Sequence, residues 1–147
     1  MPNITSTITN NFARSFGLYQ DFVTLLDEAM LDAKLPDLPS NTIGLQLWCV
    51  VGARESYSNA IKANQWSGFS CSLAQPHNKE DVLAALIRSE NLVKETLKAI
   101  ENYTDTQNQL SIDLLEHECQ HHGQLIRYLY ALKLEIPESW KKRYALN

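Results

Sequence analysis

Within the segment LLEHECQHHGQL, Leu114 to Leu125, two histidines stand four residues apart, and His117-Glu118-Cys119-Gln120-His121 spells HExxH. On a helix this spacing puts both imidazoles on one face, a turn apart and close enough to share an ion. Neutral imidazole is a common ligand for zinc, iron, nickel and copper. The pair therefore points to metal-centred chemistry, and with Glu118 as general base the same letters would be the zinc motif of metallopeptidases. The competing use is a pair of core histidines bonded to carbonyls, tyrosines or water, because buried polar groups must be satisfied.

Stepping about 100° per residue from His117 leaves Leu110, Leu114, His121, Leu125, Tyr128 and Leu132 within roughly 80° of it. Both histidines thus fall inside an apolar stripe. Glu118 falls on the stripe's edge, where a carboxylate is ordinarily solvated, His122 falls farther round, and Cys119 lies opposite and is a poor co-ligand. The peptidase reading weakens downstream: Gly123 follows His121 by two residues rather than three, no histidine follows His122, and little chain remains for a ligand-bearing helix. It stands as a remote alternative.

A catalytic zinc commonly takes three protein ligands and keeps an open position, so a third ligand must come from elsewhere. His77 lies in a loop. Cys49, in TIGLQLWCVVGARESYSNAI, shares a helical sector with Leu45, Gly52, Ala53, Ser56 and Ala60. Those small residues would let a neighbouring helix approach closely, and a cysteine among them would ordinarily be inert packing.

The elements that carry these residues are read from periodicity. The 147 residues suit one domain, 1–147, and with 44% apolar and 20% charged residues the chain needs no structural metal or disulfide to fold. Five glycines and five prolines separate long segments with a 3.6-residue apolar period, the grammar of an all-α four-helix bundle. The pattern predicts helices over about Asn10 to Lys34, from a cap at Ser40 or Asn41 to Asn64, from a cap at Asn78 to Asn102, and over Gln109 to Lys133. A short tail helix is expected over Glu138 to Tyr144. The aperiodic stretch Trp66 to His77 is long enough for a crossover running the length of the bundle.

Bulk properties exclude several roles. A net charge of −4 without a basic cluster argues against nucleic acid, and no apolar run reaches the roughly 18 residues of a membrane span. Cys49, Cys71 and Cys119, odd in number and widely spaced, suit a reducing compartment rather than a disulfide framework. With no secretory pattern at the N-terminus, the expected location is cytoplasmic.

Two segments, HECQHHGQLIRYLYALKLEIPESW and TIGLQLWCVVGARESYSNAI, together with the helix lengths and the long middle connection, resemble the DinB/YfiT-like family of small bacterial four-helix-bundle proteins. The resemblance implies an up-down-down-up bundle with a long crossover between helices 2 and 3. It also implies a divalent metal, zinc or nickel, held by one histidine of the second helix and two of the fourth. The fourth-helix pair corresponds to His117 and His121, within HxxxHxGQ, and the second-helix position is occupied by Cys49 in place of histidine. Three outcomes follow: a Cys/His/His metal site whose anionic ligand makes a bound water less acidic, a vacated site in which Cys49 packs, or a metal-free Cys-His pair. Members of the wider superfamily include S-transferases that use low-molecular-weight thiols. The expectation is therefore a metal-dependent enzyme of thiol-transferase or hydrolase type, acting on a small molecule that includes such a thiol. Gln46, Arg54, Glu118 and Gln124 are the candidate supporting polar groups. The alternative is a non-enzymatic dimeric stress-response or binding protein with a degenerate site, its homodimer interface formed by the aromatic loop Trp66 to Phe69 or the phenylalanine-rich first helix.

Overall fold

The first helix, α1 (Ile4–Leu25), buries Phe12, Phe16, Tyr19, Phe22 and Val23, which share one face through three- and four-residue spacings. In the computed structural model, which describes residues 4–147, α1 both starts and stops earlier than its apolar period predicts. The stop has a cause far away in sequence. Lys79 Nζ donates to the carbonyls of Thr24 and Leu26, at 2.9 and 2.8 Å, and so satisfies acceptors that the end of a helix leaves open. Asp27 is extended, and the chain resumes as a 3₁₀ turn over Glu28–Asp32 that buries Leu31.

Helix α2 (Ile43–Ala63) starts at Thr42, whose hydroxyl accepts the Leu45 N–H. The caps expected from sequence are used elsewhere: Ser40 Oγ accepts the Leu35 N–H, and the Asn41 carbonyl accepts the Tyr128 hydroxyl. Asn64, in the left-handed conformation that asparagine tolerates better than most residues, ends the helix.

Helix α3 (Lys79–Lys98) has the expected Asn78 cap and acids in its first turn, but stops short of Asn102. Helix α4 (Asp105–Ala131) begins before Gln109 because Thr104 and Gln107 form a capping box. Those two residues also bind the end of α2, Thr104 Oγ to Asn64 Oδ1 at 2.6 Å and Gln107 Nε2 to the Ile61 carbonyl at 3.0 Å. The tail helix α5 (Glu138–Tyr144) occupies its expected span and is anchored by the buried Trp140, whose Nε1 donates to the Leu18 carbonyl at 2.7 Å.

The fold is all-helical, with no strand among the described residues. Helices α1 and α2 each pack against both α3 and α4, α5 packs on α1, and this arrangement is compatible with a four-helix bundle. The connection between α2 and α3 returns along α2. Trp66 packs at a tilt against Tyr57, the Ser70 backbone exchanges hydrogen bonds with Ser56 Oγ, Cys71 Sγ donates to the Trp48 carbonyl, and Pro76 reaches Gly44. A Cβ on Gly52 would sit 2.3 Å from Phe69 Cζ, and one on Gly44 would sit 2.2 Å from the Pro76 oxygen. Gly52 and Ser56 of α2 therefore seat the crossover rather than the close helix expected from sequence, whereas Ala53 packs among residues of α1, α3 and α4. Among the described residues no helix is long and apolar enough to cross a membrane.

Candidate metal centre

Helices α2 and α4 bring Cys49, His117 and His121 together. His117 Nε2 lies 3.7 Å from Cys49 Sγ and 3.2 Å from His121 Nε2, and all three ligand atoms fall within 4.8 Å of one another. Zn–N and Zn–S bonds of about 2.0 to 2.3 Å at tetrahedral angles would separate two nitrogens by roughly 3.3 Å, and a nitrogen and a sulfur by roughly 3.6 Å. These two edges match those values, and the third, between Cys49 and His121, lies within 4.8 Å. The donor set therefore fits a divalent ion, with one position left for another ligand.

The arrangement of protons supports the same reading. Gln46 Oε1 lies 2.6 Å from His121 Nδ1, and a carboxamide oxygen only accepts, so the His121 proton is on Nδ1 and its Nε2 lone pair faces the cluster. The proton between the two Nε2 atoms must then belong to His117, which leaves the buried His117 Nδ1 without a hydrogen-bond partner. An ion taken up at the two Nε2 atoms would take the place of this proton, and His117 would then carry its own proton on Nδ1.

Burial governs the titration of all three ligands. It lowers His117, with a smaller contribution from Arg54, and it lowers His121 from 6.5 to about 4, with His117 adding to the effect. Both imidazoles are neutral at physiological pH and ready to ligate. Burial also raises the Cys49 thiol, so uptake of a cation there must release a proton. Gln46 and His121 are buried while Cys49 and His117 are half-buried, which puts the approach to the cluster on the latter side.

Arg54 and Glu118 pair with each other away from solvent. Arg54 Nε and Nη2 reach the two Glu118 oxygens at 2.6 and 3.4 Å, and Nη1 donates to the Leu86 carbonyl and Ser89 Oγ. The guanidinium lies over the Phe16 ring, and Tyr19 donates to the Glu118 carbonyl. Burial raises the Glu118 carboxyl, opposed by Arg54. The sequence-based placement of Glu118 on a solvated helix edge is thus corrected: α4 rotates that edge onto α1 and α2. A carboxylate clamped there cannot serve as the base that a peptidase requires. Gln124 is half-buried, its Oε1 has no partner, and among the described residues no hydrogen bond joins it to the three ligands.

His122 was missed by the helical-wheel reading. It is 2% exposed, with Nε2 2.9 Å from Ser15 Oγ and Nδ1 2.6 Å from the Tyr144 hydroxyl. Burial, followed by Arg54, lowers it to about 3. The signal that could have found it was the aromatic tail helix, whose Trp140 and Tyr144 need a place to pack. Cys119 is exposed and does not join the cluster. No family model matches the sequence, and no curated protein matches it closely enough to indicate a relative.

Proposed function

We propose that the protein binds a divalent metal, zinc or nickel, through Cys49, His117 and His121 and acts as a metal-dependent enzyme on a small molecule, with thiol transfer its reaction class. The observation that carries this reading is the convergence of the three ligand atoms, with Gln46 setting the tautomer of one of them. The reaction class rests on the resemblance to the DinB/YfiT-like family. So does the up-down-down-up order of the helices, which is supported by the return of the crossover along α2.

A divalent ion held by Cys49, His117 and His121 would supply a Lewis acid that lowers the pKa of a bound thiol or water. The chain's own residues do the rest. Gln46 keeps the His121 Nε2 lone pair aimed inward, the burial that keeps both imidazoles neutral excludes protonated, non-ligating forms, and the Arg54–Glu118 pair fixes α4 against α2 one residue from His117. Cys49, as an anion, favours metals that accept soft ligands.

Metal analysis of untagged protein purified without chelator tests the reading. Near-stoichiometric metal, lost in His117→Ala and in Cys49→Ala, is expected. Metal-free protein whose stability is unchanged by His117→Ala would sink it. With metal present, turnover dependent on a low-molecular-weight thiol is the second expectation.

A dimeric binding protein with a purely structural cluster is the second reading, favoured by Trp66 and Phe69, which are 49% and 45% exposed on the crossover. A dimer that Trp66→Ser dissociates, together with no thiol-dependent turnover of the metal-loaded protein, would select it.

A further inference from the structure

Away from the metal centre, two cavities open where α1 meets α5. The larger, ≈ 490 Å³, is lined by Gly17 and Leu18 together with Arg14, Lys142 and Arg143. The smaller, ≈ 170 Å³, is lined by the buried Ser15 and His122 and by Tyr144, and Arg14 and Arg143 line it as well. The two arginines are therefore common to both spaces.

The charges here run against the rest of the molecule. The chain carries a net −4, yet three cations surround these cavities. Among the described residues none of the three has a salt bridge, and Arg143 only rests over the Tyr144 ring at 5.0 Å. Asp21, the acid among the larger cavity's lining residues, is engaged by the Ser139 hydroxyl at 2.5 Å. Like charges lining one space repel, and a bound anion relieves them. Space is available too: a Cβ on Gly17 would meet nothing within 4 Å. The larger volume falls in the range of about 300 to 1,000 Å³ typical of small-molecule sites.

We propose that this double cavity binds a small organic oxyanion, a carboxylate or a phosphate. Its charged head lies between Arg14 and Arg143, toward Ser15 and His122, and its apolar body lies against Gly17 and Leu18. Paired guanidinium groups suit this class because each offers a planar fork to two oxygens. The site is distinct from the metal centre and independent of the activity proposed there.

Calorimetric titration of the full-length, metal-loaded protein at fixed ionic strength tests the assignment, with phenyl phosphate and benzoate as probes and benzyl alcohol as the neutral control. Saturable binding of at least one anion, one per chain, is expected, with none of the alcohol. In Arg14→Gln/Arg143→Gln, whose exposed side chains leave the melting temperature unchanged, affinity falls by about tenfold or more. Cys119 lines the smaller cavity, so the bound probe slows its alkylation, read peptide by peptide in a mass spectrometer. No saturable binding of either anion, equal affinity in the double variant, or equal binding of benzyl alcohol overturns the proposal. So does binding to anionic vesicles with neither small anion bound, which would assign the cations to a membrane surface.

Discussion

At the scale of single residues, the candidate centre would depend on one carboxamide as well as on Cys49, His117 and His121. Gln46→Leu removes the acceptor for His121 Nδ1 and frees the ring to adopt the other tautomer. Metal affinity is expected to fall by roughly 10- to 100-fold, the usual cost of losing a partner behind a ligating histidine, while the helical signature is retained; competition with a chromophoric chelator measures it. The Arg54–Glu118 pair behaves differently, because both charges are buried and each is the counter-charge of the other. Either Arg54→Met or Glu118→Leu alone strands a charge and should cost about 3 to 5 kcal/mol, whereas the double variant should recover much of that loss. Urea titrations of the singles and the double check the coupling, and additive losses would refute it. The helical wheel places the two histidines on one apolar face, and they lie there. It could not place Glu118, since its partner is 64 residues away and only the packing of α2 against α4 joins them. The need for a third ligand raises Cys49, but only the resemblance makes it one, because a cysteine among small residues reads as packing until its neighbour across the interface is known.

At the scale of elements, the caps decide the boundaries, and some caps are written locally while others are not. Asn78 with Asp81 and the span of α5 are visible in the chain itself. The end of α1 is not, because Lys79, from the start of α3, supplies the donor that terminates it; in return Glu28 accepts the Lys79 N–H at 3.0 Å. The glycines of α2 and α4 make an opposed pair of tests. Gly44→Ala gains helix propensity yet drives a methyl into the Pro76 carbonyl, backbone that cannot turn aside, so the melting temperature should fall. Gly123→Ala faces open space on an exposed turn of α4 and should stabilise by about 0.5 to 1 kcal/mol. Thermal melts of the two variants should therefore move in opposite directions.

At the scale of the whole molecule, the buried histidines tie stability to pH. His121 and His122 stay neutral in the fold down to about 4 and about 3, against 6.5 for an unburied imidazole. Below 6.5 the unfolded chain therefore binds more protons than the folded one, and stability rises with pH. Their contribution is fully present above 6.5 and is lost as pH falls through that value toward about 4 and about 3. The urea midpoint of metal-free protein should drop between pH 7 and 4, and His122→Gln should show a shallower drop; equal slopes would dismiss the effect. The candidate metal ligands Cys49 and His117 stand 68 residues apart, with the crossover and all of α3 between them. Closing so long a loop is entropically costly and comes slowly. The visible absorption of cobalt substituted at the cluster would thus act as a clock for folding, dark while helices form locally and lit only when α4 docks against α2.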